Sequence, residues 1–240
     1  ELERQRIFII SEKQMNVSRG QFVREYFRNK VLSTLVPVMI DKNKPFPQLK
    51  DRAIYFFVKL TKHKNNDKHK FALIEIPTDG SNRFVVLPET NNLKFITLID
   101  DIVRYCLDDI FFIFDYDEIE AYSIQLTRDA ELDLDRHVSE KFIDALSKSL
   151  QKRGKGKPMR LLYDSDMPLD MLTHLVAELD LSADGLIPGN RYHNFKDFIS
   201  FPNVGGAELE YPRVSPLPVN NFSSVSSIFA QISKRDYLIN

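Results

Sequence analysis

A single cysteine stands among 240 residues. With only Cys106, no intrachain disulfide can form and a thiolate zinc cluster is excluded. Net charge is almost absent as well, since 33 basic and 34 acidic side chains leave a formal charge of -1. A dedicated nucleic-acid binder is normally more basic. Nucleic acid is therefore not an expected partner, and any polyanion must meet a local patch. No apolar run approaches the ~18 residues of a membrane span, and no signal peptide opens the chain. The expected location is the cytoplasm, with nothing closer to a membrane than peripheral association.

The usual carriers of chemistry are missing too. Gly154-Lys-Gly-Lys157 has the glycines of a phosphate loop only superficially, because Pro158 stands where Ser or Thr belongs and the earlier glycine is absent. A basic helix end followed by a turn accounts for it. The five histidines (63, 69, 137, 174 and 193) show no metal-ligand spacing, and there is no Gly-x-Ser-x-Gly elbow. Cys106 lies on an apolar helix face and reads as a small buried hydrophobe. His174, between Leu172 and Leu175, reads as a boundary residue.

What the chain does have is apolar mass: 43% of it is hydrophobic, with 18 phenylalanines, enough for a sizeable core. Arg6 to Ile10 predicts a strand. Ser18-Arg-Gly-Gln21 has the form of a capping box, and Phe22, Tyr26, Phe27, Val31 and Leu35 follow at helical spacing until Pro37. Ile54–Leu60 and Phe71–Ile76 predict a hairpin around a long basic loop. Arg83–Leu87 and Leu93–Thr97 predict further strands, with Thr97 to Asp100 capping a helix that carries Ile99, Ile102, Val103, Cys106 and Ile110 on one face. Alternation over Ile119–Arg128 puts Tyr122, Ile124, Leu126 and Arg128 on one strand face. A helix from Ser139, stapled by Val138 and Ile143, is expected to bury Phe142, Leu146 and Leu150. Met159–Tyr163 predicts a strand, and Asp164, Asp166 and Pro168 start a helix through Leu179.

Adjacent strands mixed with strand–helix pairs predict an α+β fold. We expect mixed, largely antiparallel strands, four to five packed helices and an extended C-terminal connector. The connector begins at Gly205-Gly206 and is rich in proline and serine. Both ends read as cuts within a longer polypeptide, since Glu1 is not a Met and the last five residues look like an apolar strand.

Acidic pairs at 100/101, 108/109, 115/117/118 and 164/166 could in principle hold Mg2+, but their positions favour capping and turn roles. Two places ask for more. Alternation puts Arg128 at a strand end on the apolar face, where a cation needs a partner. A carboxylate such as Asp129 or Glu131 would serve, as would a phosphate or an interdomain contact. In Arg191-Tyr-His-Asn-Phe-Lys-Asp-Phe198 the positive groups Arg191, His193 and Lys196 interleave with aromatic rings. The segment fits either an amphipathic anchor for the connector or an anion-facing edge at a helix start near Asn194.

These segments resemble the bacterial polyphosphate kinase family. The strings that carry the likeness are Arg104-Tyr-Cys-Leu-Asp-Asp-Ile-Phe111, Thr127-Arg-Asp-Ala-Glu131, Asp166-Met-Pro168, the 191–198 segment and Phe201-Pro-Asn-Val-Gly205. They occur in one order along nearly the whole chain. The resemblance implies the family's middle or head domain at 7–204, preceded by the tail of a helical N-terminal domain at 1–6. It implies a connector at 205–228, then the start of the first of two phospholipase D-like C-terminal catalytic domains at 229–240.

It further implies a whole protein that moves the terminal phosphate of ATP onto inorganic polyphosphate, reversibly, through a phosphohistidine. The catalytic histidines and the Mg2+ site lie in the C-terminal domains, so no catalytic, cofactor-binding or metal residue is expected in this chain. Homo-oligomer contacts and part of a polyphosphate tunnel wall are the roles expected of it. Arg128, Arg191, His193 and Lys196 are the candidates to face the polymer. The competing reading is a free-standing, non-catalytic binding or oligomerisation module.

Overall fold

The structure, a computed structural model, describes residues 1–41, 43–63, 68–78, 83–128, 158–212, 214–215 and 227–234. It divides into two compact units, Glu1–Val204 and Gly205–Asn240. The helix expected from Ser139 and the Gly154–Lys157 turn lie outside the described residues.

The first unit is built on two sheets. The larger has six strands in the order β2 (Val38–Met39), β4 (Lys68–Glu75), β3 (Ile54–Lys62), β7 (Glu118–Arg128), β8 (Pro158–Asp164) and β9 (Leu186–Gly189). Its pairings are antiparallel except for β8 with β9. The smaller sheet runs β1 (Ile7–Ile9), β6 (Leu93–Leu98), β5 (Phe84–Thr90), and its β1–β6 pair is parallel. The α+β, antiparallel-rich fold is the one read from the sequence.

The central strand β3 is buried along most of its length because both faces of the large sheet are covered. Ile54, Phe56, Val58 and Leu60 face one core, shared with α1 (Val17–Tyr26), α2 (Ile99–Tyr105), the short α3 (Leu107–Ile110) into which the expected helix breaks at Cys106, and the inner face of the small sheet. Tyr55 and Phe57 face a second core beneath α4 (Leu169–Leu179), built with Ile124, Leu126, Met171 and Leu175. Two-sided burial explains the near-continuous apolar run of β3, where a one-sided strand would alternate. Fully buried rings such as Phe56 and Phe57 each contribute roughly 1.5–3 kcal/mol. A third, smaller cluster on the outer face of the small sheet joins Ile7, Phe84, Ile96 and Leu98 to Tyr192, Phe201 and Val204.

Local signals were read less well than the apolar periodicity. Helix α1 starts one residue before Ser18, and its cap is Asn16, whose Oδ1 accepts the Arg19 N–H at 2.9 Å. The capping box belongs instead to the preceding turn, where Ser11 and Gln14 bond reciprocally. The predicted helix does continue toward Pro37, through a π turn at Phe27–Val31 and a 3-10 turn at Leu32–Thr34. Thr97 does not cap α2; it lies within strand β6, one residue before its end, with its hydroxyl buried, and Leu98 takes the N-cap position without a side-chain bond. Strand β9 was missed, being four residues long with Pro188 and Gly189. In the second unit, Ser227 caps a short helix, α5 (Ile228–Ile232). Among the described residues no helix is long and apolar enough to cross a membrane.

Helices α1 and α2 pack closely at Gly20, where a Cβ would stand 2.0 Å from the Tyr105 hydroxyl oxygen. Overpacking of this kind costs about 1–3 kcal/mol, offset by about 1 kcal/mol of helix propensity gained over glycine. Gly20→Ala is therefore expected to lower the urea midpoint. Adding Tyr105→Phe should recover part of the loss; a G20A variant as stable as the parent would show that the helices can separate freely.

Candidate functional site: a buried arginine–carboxylate network

The β5–β6 hairpin register pairs Phe84 with Leu98, which sets Arg83 against the first turn of α2. The Ile99 N–H donates to the Arg83 carbonyl at 2.9 Å. From there the Arg83 guanidinium reaches Asp100 in a fork, Nε to Oδ2 at 3.0 Å and Nη2 to Oδ1 at 2.8 Å. Its third nitrogen, Nη1, donates to the His193 carbonyl and to Asp197 Oδ2 at 2.9 Å. The Arg83 and Asp100 side chains are 3% and 0% exposed. A planar guanidinium can serve all these acceptors at once, which a lysine ammonium cannot.

The neighbouring residue, Asp101, heads a second node. The Tyr192 hydroxyl lies 3.1 and 3.0 Å from its two oxygens. Arg191 Nη2 stands 3.6 Å away and Arg104 Nη1 3.9 Å away. Arg191 bonds more tightly to Glu12, at 2.5 Å. Arg104 lies over the Phe56 ring and donates to Ser123 Oγ at 2.7 Å, and Ser123 in turn donates to the Arg191 carbonyl. Gln125, on the same face of β7, donates to Asn194 Oδ1 at 2.8 Å. The 191–197 segment is thus held from below by β7, from one side by α2 and from the other by Arg83.

The charges respond to this burial. Desolvation pushes the Asp101 carboxyl up to about 8, helped by hydrogen bonding to Glu12. Burial also acts to raise Glu12, but the Arg191 hydrogen bond and charge outweigh it and hold that carboxyl below its ordinary range. Burial and the repulsion of Arg191 lower Arg104. For Arg83 burial is outweighed by Asp100 and Asp197, so its cation is reinforced. Desolvation lowers His193 below the usual imidazole value, which leaves it neutral near pH 7. It also pushes the Cys106 thiol up to about 12, consistent with an inert core residue.

The sequence candidates fall in different settings. Arg191 is half-buried and ion-paired, and His193 is 3% exposed. Lys196 is exposed on the 3-10 turn Phe195–Ser200, which takes the place of the α-helix expected from Asn194. Arg128 is on the opposite face of β7 from Ser123 and Gln125, where its Nη2 donates to the Leu49 carbonyl at 3.2 Å and its N–H to Asp51. The structure brings Arg191, His193 and Lys196 together on one segment and leaves Arg128 apart. Asp129 and Glu131, its expected partners, lie outside the described residues.

Asp100 and Asp101 do not cap the helix, as their position had implied, but are buried: Asp100 accepts from Arg83, and Asp101 accepts from the Tyr192 hydroxyl with Arg104 and Arg191 nearby. Asp164 does act in a turn, its Oδ1 accepting the Asp166 N–H. Arg83 and Glu12 were not singled out, and Tyr192 was noted only as one of the aromatic rings of the 191–198 segment. Their signal was weak because the partners are distant in sequence. Among the described residues no group of three or more His, Cys, Asp or Glu side chains could hold a metal ion. Beside the network lies a cavity of about 310 Å3 whose lining includes Glu12, Lys13, Arg104, Asp164 and Arg191.

Removing one partner of a buried pair leaves an uncompensated charge, at a cost of about 3–5 kcal/mol. Arg83→Ala is expected to lose that much in urea unfolding, and the double change Arg83→Met with Asp100→Leu to lose less than the sum of the single changes. Additive losses would mean that the two residues are not coupled.

Comparison with known proteins places this geometry. Residues 18–201 match the family model described as the polyphosphate kinase middle domain. The polyphosphate kinase of Vibrio vulnificus is 41% identical over 244 residues, covering 100% of this chain and 34% of that protein. The polyphosphate kinase of Escherichia coli K12 is 42% identical over 214 residues, covering 87% of this chain and 31% of that protein. The crystal structure of polyphosphate kinase from Porphyromonas gingivalis superposes with a TM-score of 0.71 at 25% identity, covering 99% of this chain and 34% of that one. This chain spans about a third of the length of the curated relatives it matches. By the match over residues 18–201, the chain belongs to the polyphosphate kinase middle-domain family.

Proposed function

We propose that this chain is the middle domain of a polyphosphate kinase that transfers the terminal phosphate of ATP reversibly to inorganic polyphosphate. The observation that carries this is the match to the middle-domain family over residues 18–201, with relatives named polyphosphate kinase aligned along the chain. In this reading the phosphohistidine, the nucleotide and Mg2+ are held by other parts of the protein. The acidic groups of the network are engaged by arginines, which leaves them poor ligands for a hydrated Mg2+.

Residues 7–204 form the head domain, with 1–6 as the tail of a preceding domain. Residues 205–228 connect it to a catalytic region beginning near 229, and the whole protein works in the cytoplasm as a homo-oligomer. The head domain supplies subunit contacts and part of the wall along which the polymer runs. A polyanion needs fixed cations along its path, because its phosphates repel one another. Of the four candidates, Lys196 is the exposed cation on the 191–204 segment and makes the direct contact. Arg191 and His193 serve by holding that segment, and Arg128 contributes at the end of β7.

Transfer of labelled γ-phosphate from Mg·ATP into polymer, run with the whole protein and with residues 1–240, tests the reading. Polymer from the whole protein and none from the segment is expected. Lys196→Ala in the whole protein should shorten the polymer with the network intact, whereas unchanged length and rate would remove Lys196 from the wall. Polymer from residues 1–240 alone would place the active site within this chain. Inactivity of both would favour a non-catalytic module.

A further inference from the structure

The network around α2 contains four carboxylates, Glu12, Asp100, Asp101 and Asp197, and three guanidiniums, Arg83, Arg104 and Arg191. Asp100 and Asp197 are matched by Arg83. That leaves Glu12 and Asp101 with Arg104 and Arg191, but the pairing is uneven. Arg191 sits on Glu12, while Asp101, 0% exposed, has its nearest cations at 3.6 and 3.9 Å, too far for a hydrogen bond. Arg104 spends its Nη2 on Ser123, and its Nη1 has no hydrogen-bond partner. Glu12 Oε2 and Asp101 Oδ1 converge on one nitrogen, Arg191 Nη2, at 2.5 and 3.6 Å, which sets the two carboxyls side by side. Two acceptors can bond to each other only through a proton.

We propose that Glu12 and Asp101 share one proton and form a latch that fastens the turn Glu12–Gln14, and with it Arg191, to helix α2. In the closed state the Asp101 O–H donates to Glu12, whose carboxylate accepts from Arg191. The Tyr192 hydroxyl donates to the Asp101 carboxyl as well. Loss of the proton to solvent puts two anions in contact at a buried site, where like charges repel strongly.

Glu12 is the half that can leave. Its side chain is 16% exposed and stands on a three-residue turn, whereas Asp101 is fixed in α2. Asp100 adds to the repulsion on α2, while Arg104 and Arg191 oppose it from α2 and the 191–197 segment. Tyr192 is held protonated, and His193 on the same segment is neutral and buried. Across the adjoining cavity, Lys13 faces the pair from the turn, Glu120 from β7, and Asp164 and Asp166 from the end of β8. Apart from Glu12, that lining carries three acids and, with Lys13, Arg104 and Arg191, three bases, so it adds no net positive charge to offset the second negative one.

The sign follows from the two carboxyls. Asp101, raised when folded, contributes stability that is fully present below its unfolded value and is lost as pH rises through about 8. Glu12, lowered when folded, contributes in the opposite sense, at acid pH. Between pH 6 and 9 only the Asp101 contribution changes. The inference does not depend on the catalytic reading.

Hydrogen–deuterium exchange of the whole protein, corrected for the intrinsic rise of exchange with pH, tests the latch. Peptides covering 8–16 and 190–194 are expected to exchange about tenfold faster at pH 9 than at pH 6, the equivalent of one pKa unit of coupling. Those of β3 and β4 should not change. Asp101→Asn, which removes the titrating proton, should flatten the profile. Glu12→Gln, which removes the second carboxylate, should do the same. A corrected wild-type profile that is flat would overturn the proposal, as would the wild-type rise persisting in either variant. If both variants fail to fold by circular dichroism, the wild-type profile alone decides.

Discussion

The seat of α2 and the path of residues 193–197 depend on one charge buried at a strand end. The Arg83 guanidinium is almost wholly enclosed, and water cannot solvate it there. It is tolerable only because each nitrogen finds an acceptor, two from Asp100 and the rest from the 193–197 backbone and Asp197. That requirement fixes the seat of α2 relative to the β5–β6 hairpin and the path of the chain after β9. The aromatic residues that follow, Phe198 and Phe201, then meet Phe84 edge-on, with ring centroids at 4.9 and 5.1 Å. A neutral residue at 83 could pack as well, but it would not dictate where the 193–197 backbone must run. The pair is better understood as a specifier of one arrangement than as a source of net stability.

Much of the architecture was legible because it rests on periodicity. The apolar runs of β3, β4, β6 and β7, and the stripe of Val23, Phe27 and Val31 along α1 and the π turn that follows it, are local patterns that survive folding unchanged. The site was less legible, since its meaning depends on residues far apart in sequence. Asp100 and Asp101 read as ordinary first-turn acids because the sequence does not show that Arg83 and Arg191 arrive from either side. Cap assignment failed for a related reason: Asn16 and Ser18 are both competent caps, and which one is used is decided by where the helix must begin to bury Val23. Strand β9 was hidden by its proline and glycine, acceptable at a sheet edge but unfavourable in a central strand.

Two of the strings that carried the family resemblance contribute to this network. Arg104 belongs to the first of them and Arg191, Tyr192, His193, Asn194 and Asp197 to the fourth, while Phe201 and Val204 of the last pack in the small apolar cluster beside it. Their carboxylates and backbone carbonyls accept from guanidinium and hydroxyl groups within the chain, while Phe195, Lys196 and Ile199 on the 195–200 turn are exposed.

The two-sided burial of β3 also has a consequence in time. Its antiparallel partner β4 follows almost at once, but β7, which pairs Thr61 with Glu118 and Ile54 with Gln125, lies some sixty residues on. At about 5–20 residues per second of synthesis, the interval between completing β3 and starting β7 is on the order of 3–11 s. Throughout that interval a hairpin rich in phenylalanine has an open edge and an uncovered face, the condition under which nascent strands pair with the wrong chain. For this protein the hazardous period is set by the length of chain between two strands, and nothing in the finished fold records it.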